Sequence, residues 1–114
     1  MNKPAARITA LSLSLLLFAG CATTGSAPTV SPGQQAAIGL LDQGKPREAA
    51  QQLEAEAALA RGAQRAQLLA DAAFAWHEAG DDARARMLLP QAQARLLSGA
   101  SRQRHALLNA ELAL

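Results

Sequence analysis

Two stretches of this chain match at a spacing of 36 residues: AIGLLDQGKPREAAQQL (37–53) and AFAWHEAGDDARARMLL (73–89). Ala37 aligns with Ala73, Leu40 with Trp76, Asp42 with Glu78, Gly44 with Gly80, Ala49 with Ala85 and Leu53 with Leu89. Each stretch has an apolar run that ends on a glycine and a second run that starts two to three residues later. Glycine takes the left-handed conformation that closes a helix, so each unit predicts two helices with a reversal between them. The small residues set how the helices meet, because alanine allows close approach and contributes little burial of its own. Half of the residues are hydrophobic, yet aromatics are 3% and tyrosine is absent. Sheet-forming residue types are scarce, and the fold class predicted is all-α.

Helix boundaries follow from the breakers. Ser31 is a candidate N-cap, Pro32 suits the first helical position, and Gln34 lies at capping-box spacing. Gly44 ends this first helix. Pro46 opens a second that runs to about Ala60 and stops at Gly62, and a third covers 63–79 with Gly80 as its stop. Asp81 and Asp82 suit the start of a fourth helix, where carboxylates complement the dipole. Pro90 shortens or ends it. After Gly99 the run 101–114 is helical again. Short connections make these helices antiparallel neighbours.

A period in the mid-thirties, with two helices per unit, a glycine turn and alanine contacts, resembles tetratricopeptide repeats. The resemblance implies an α-solenoid of antiparallel hairpins. Its packing positions fall on Ala37, Leu40, Gly44, Ala49 and Leu53, and on Ala73, Trp76, Gly80, Ala85 and Leu89. Leu40 and Trp76 take the place where the motif prefers a large aromatic, and Ala92 extends the small-residue pattern. Pro90 comes earlier than the motif's terminal proline, which shortens the fourth helix.

The N-terminus has a different character. Lys3 and Arg7 precede an apolar stretch from Ile8 to Phe18. As a helix this stretch is about 16 Å long, roughly half of a bilayer core, which is too short for a stable span. It has the form of an export signal. The quartet Phe18-Ala19-Gly20-Cys21 resembles the bacterial lipobox, with phenylalanine where an aliphatic residue is usual. The resemblance implies cleavage between Gly20 and Cys21, a diacylglyceryl thioether on the Cys21 sulfur, and N-acylation of the new terminus. Cys21 is the only cysteine. Ala22 follows it, in place of the aspartate that retains many such proteins at the inner membrane. The expected location is the outer membrane of a Gram-negative cell, facing the periplasm. Residues 22–33, ATTGSAPTVSPG, are small, polar and uncharged, and read as a flexible tether reaching at most about 40 Å. The domain organisation expected is therefore a signal peptide (1–20), a lipidated cysteine with its tether (21–33) and a helical repeat region (34–114).

The formal charge of +2 disappears with the signal peptide. Eleven Lys and Arg face nine Asp and Glu, and Lys3 and Arg7 account for the excess. Nucleic acid is not an expected partner. Neither is a small-molecule substrate. His77 and Glu78 are sequence neighbours, but adjacent residues on a helix diverge by about 100°, so His77 is expected on a solvated face. His105 lies in a basic turn, SRQRHALL. Two histidines without a free thiol make no metal set, and no phosphate loop or nucleophile elbow occurs. Trp76 is expected in the core. Asp81-Asp82 is explained by a helix start. DDARARM (81–87) and SRQR (101–104) are alternatives for a polar recognition strip or for solvated helix faces. The chain is not expected to be an enzyme, and no cofactor is implied.

The runs GLLDQGKPREAAQQLEAEA, RAQLLADAAFAWHEAGDDARARMLL and RQRHALLNAELAL resemble the N-terminal region of the LppC (LpoA) family. Those outer-membrane lipoproteins activate a bifunctional class A penicillin-binding protein. The resemblance implies a regulator of peptidoglycan synthesis that acts by binding, so no catalytic residue is carried over. Family members are longer, with further repeats and a large C-terminal domain that makes most of the synthase contact. The last helix here lacks a partner, which predicts a fragment of a longer protein. The alternative reading is a tetratricopeptide-like adaptor lipoprotein in pilus or outer-membrane protein assembly, with secretins or barrel-assembly components as partners.

Overall fold

The computed structural model describes residues 30–114; the signal peptide, Cys21 and most of the tether lie outside the described residues. Five α-helices follow one another, and no strand occurs among the described residues: α1 (Pro32–Asp42), α2 (Pro46–Leu59), α3 (Gly62–Glu78), α4 (Asp82–Leu88) and α5 (Gly99–Leu112). Two short 3₁₀ turns, Leu89–Gln91 and Ala94–Leu96, link α4 to α5. The chain is all-α in its described part. No described helix is long and apolar enough to cross a membrane.

The turns repeat as the sequence does. After α1 the chain turns at Gly44, whose φ is +76°. The Lys45 N–H donates to the Leu40 carbonyl at 2.8 Å and the Gly44 N–H to the Leu41 carbonyl at 3.0 Å. After α3 the same pair of bonds forms around Gly80, whose φ is +84°. Asp81 N–H donates to Trp76 O at 2.8 Å and Gly80 N–H to His77 O at 2.9 Å. Both are Schellman closures, which satisfy helix-end carbonyls and need a left-handed residue that a Cβ would strain. Leu40 and Trp76, aligned in sequence, occupy the same rung of the two closures.

The helix starts differ from one another. Ser31 Oγ accepts from the Gln34 N–H at 3.0 Å, the capping bond expected of it. The Gln34 side chain does not complete a capping box; it turns inward and donates to buried Asp71 of α3. No acidic residue lies in the first turn of α1, and α2 compensates. The Glu56 carboxylate lies where a side chain on Gly33 would be, and Gln52 Nε2 donates to the Gly33 carbonyl at 3.2 Å. Asp81 caps α4 by accepting from the Arg84 N–H at 3.1 Å. Pro90 falls in the 3₁₀ turn that follows α4, so α4 has 7 residues where α2 has 14. A proline supplies no N–H to continue the helical ladder, and the chain tightens instead.

The core centres on α3. It packs on α2, α4 and α5 and touches both 3₁₀ turns. Ten of its residues, between Ala66 and Trp76, are buried, so α3 is apolar nearly all round rather than on one stripe. The surrounding helices bury alanines: Ala37, Ala49, Ala50, Ala57 and Ala85 are all 1% exposed or less. Alanine contacts bring backbones close, and the bulk of the core comes from few residues. Trp76, Leu53, Leu68 and Leu108 are the largest fully buried apolar side chains. Of the repeat positions, Ala37, Ala49, Leu53, Ala73, Trp76, Ala85 and Leu89 are buried, and Leu40 is half-buried against them.

Candidate functional site

Polar chemistry in the described part gathers at two places around α3. The first is in its middle. Asp71 is 1% exposed, yet it ties three helices together. Gln34 Nε2 of α1 donates to its Oδ2 at 2.8 Å, and Arg104 Nη1 of α5 donates to its Oδ1 at 3.1 Å. A buried carboxylate needs such partners to offset its desolvation. The result is a polar pin through an otherwise alanine-lined core, and it fixes how α1 and α5 sit on α3. Arg104 also lies 5.8 Å from the Phe74 ring centre.

The second place is the α3–α4 corner. The Schellman closure holds Trp76 and His77 at the last turn of α3, pointing in different directions. Trp76 enters the core with no exposed surface. Its indole N–H donates to Glu54 Oε2 of α2 at 2.6 Å. The Arg84 guanidinium lies 4.4 Å from the ring centre, and its Nε is 3.4 Å from Asp81 Oδ2. Arg47 of α2 approaches to 5.8 Å. The tryptophan is thus an anchor for α2 and α4 together.

His77 lies at the surface, as the sequence predicts, but it is not free there: its side chain is 24% exposed and lies between two half-exposed carboxylates. Nδ1 is 2.7 Å from Asp82 Oδ1 at the start of α4, and Nε2 is 2.9 Å from Glu111 Oε2 near the end of α5. The hydrogen bond with Asp82 raises its pKa above the ordinary value, against an opposing effect of burial and with help from the charges of Asp82 and Glu111. With both ring nitrogens engaged, His77 has no free atom to act as a base toward a substrate. Its geometry is that of a clasp between helices.

Beside this corner a groove of about 540 Å³ runs between the end of α4 and the outer half of α5. Leu89, Pro90 and Leu112 form much of its apolar wall, while Arg86, His105 and Asn109 supply polar points. Arg86 Nη2 donates across it to the Leu112 carbonyl at 3.3 Å. His105 is mostly buried within α5 and lines this groove instead of an open basic turn.

The arginines expected in a polar strip are largely spoken for. Arg84 stacks on Trp76, Arg86 reaches Leu112, and Arg104 holds Asp71. Arg102 remains exposed on α5. No group of three His, Cys, Asp or Glu able to hold a metal ion occurs among the described residues. Gly20 and Cys21 lie outside the described residues. What this groove offers chemically is an apolar wall with a cation, an imidazole and an amide at its edges. In comparison with known proteins, the chain matches no family model, no curated protein and no solved structure.

Proposed function

We propose that this chain is a lipid-anchored helical-repeat module of the bacterial outer membrane that works by binding a class A penicillin-binding protein, as part of a regulator of peptidoglycan synthesis. The observation that carries the repeat reading is the pair of matching Schellman closures at Gly44 and Gly80, 36 residues apart, with Leu40 and Trp76 on the same rung. A tetratricopeptide-like unit needs such a recurrence of sequence and turn geometry together. Stacked hairpins of this kind are stiff scaffolds that present grooves to partner segments. The groove beside α5 is the concave surface available to one.

The anchor is read from the lipobox at Cys21 and the identity of the partner from the resemblance to the LppC family. In this mechanism the acyl chains fix one end at the membrane and the tether lets the helices stand away from it. Binding then shifts the synthase toward its active state through its greater affinity for that state. The full-length protein, solubilised from envelopes in mild detergent, is expected to co-purify with a class A penicillin-binding protein. Recovery of secretin or barrel-assembly components with no synthase would refute the assignment of the partner.

A further inference from the structure

The contact between His77 and Glu111 ties the α3–α4 corner to the end of α5, beside the bond from Arg86 of α4 to the Leu112 carbonyl. Asp82 belongs to the corner that starts α4. Glu111 belongs to the last turn of α5, which also contributes Asn109 and Leu112 to the groove. Asp82 and Glu111 are both hydrogen-bond acceptors when ionised, so an imidazole satisfies both only if it carries two N–H groups. A neutral imidazole has one. It must then turn a nitrogen lone pair toward one of the two carboxylates.

We propose that His77 is a proton-dependent latch: the imidazolium bridges Asp82 to Glu111 and holds the last turn of α5 against the groove, and loss of one proton releases that turn. The proton leaves from the ring to solvent, and no covalent bond changes. Asp82 keeps its bond because it is only five residues away and its backbone is set by the α4 start. Glu111, with 46% of its side chain exposed, is the partner free to leave. After release, the bond from Arg86 to the Leu112 carbonyl, long at 3.3 Å, is the remaining polar tie at that end.

The other charged groups near the latch are accounted for. On α3, Glu78 is the sequence neighbour of His77 and points elsewhere, lining a hollow with Phe74 and Pro46. At α4, Asp81 is occupied by the Arg84 N–H and side chain. Arg84 lies over Trp76 and Arg86 reaches Leu112. On α5, Arg104 is bound to Asp71, and His105 is the second titratable ring bordering the groove. The pKa of His77 is raised from its ordinary 6.5. The latch is therefore complete below about pH 6.5 and is lost as pH rises through the raised folded-state value. This inference concerns the motion of α5 and holds whichever protein occupies the groove.

Amide hydrogen exchange of the last turn of α5 in the full chain tests it, between about pH 5.5 and about pH 8.5 and corrected for intrinsic exchange. Protection there is expected to fall roughly threefold to tenfold as pH rises. Glu111→Gln and His77→Gln should each abolish that dependence, while His105→Gln retains it. In Glu111→Gln the His77 ring, followed by NMR, should titrate closer to its ordinary value. Protection that does not change with pH, or a dependence that survives Glu111→Gln or vanishes with His105→Gln, overturns the latch.

Discussion

Trp76→Ala is expected to destabilise the folded chain by about 4 kcal/mol, the scale of removing a large aromatic from a packed core. Several losses coincide at this position. The indole is fully buried, and its N–H satisfies Glu54 of α2 at 2.6 Å. Its face carries Arg84 of α4 at 4.4 Å. Most other buried apolar side chains are alanines, which supply little transfer free energy each, so no neighbour can fill the space. A helical region of this size has on the order of 5–10 kcal/mol of stability in total. The variant therefore stands near the edge of unfolding. Urea titration of the purified chain, followed by far-ultraviolet circular dichroism, measures the loss. Trp76→Phe keeps most of the packing but drops the bond to Glu54 and should lose about 1–2 kcal/mol. Equal midpoints for the Ala variant and the wild type would mean that Trp76 is not the keystone of the hairpin.

The second large effect is at Cys21. Its role is read from the lipobox resemblance, and the prediction is all-or-none. Cys21→Ala is expected to abolish incorporation of a fatty-acid analogue and to block cleavage after Gly20, leaving a precursor of higher mass. The physics of attachment makes the consequence severe. Each buried methylene contributes about 0.8 kcal/mol, and one acyl chain gives only reversible binding, so stable anchoring needs several chains on one residue. No described helix offers a second means of spanning the bilayer. Metabolic labelling followed by mass measurement of the mature N-terminus reads both steps. Label that persists in Cys21→Ala would place the lipid elsewhere or remove it from the account.

Much of the helical framework was legible from local rules. Glycine and proline act over one turn of chain, so Gly44, Gly80, Pro32, Pro46 and Pro90 each announce a boundary that α1 to α4 respect. The burial of Trp76 followed from its place in the repeat. Side-chain partnerships across the core were not legible. His77 and Glu111 are 34 residues apart, and Gln34 and Asp71 are 37 apart; no periodicity relates them. The pairing of His77 with Asp82 had a local trace, since five residues across a Schellman turn bring a helix end to the next helix start. The spread of Ser98 was also hidden: it precedes α5 as a cap would, but its hydroxyl accepts from Gln67 Nε2 at 3.1 Å instead. Local chemistry sets where helices begin and end, whereas the side-chain pairings depend on how the helices stack.

That distinction bears on function. An alanine-rich hairpin stack has few polar commitments across its core, and Asp71, Trp76 and His77 hold several of them. The groove at α5 brings polar and apolar groups together at the surface. Asn109 borders it and makes no side-chain hydrogen bond to another described residue. The most direct measurement is therefore a photo-crosslink from this position. A photoreactive amino acid at Asn109, in the full-length protein expressed in its own envelope, should give an adduct with a class A penicillin-binding protein. Adducts formed only with other envelope proteins, or none at Asn109 while the protein is present and folded, would contradict the account.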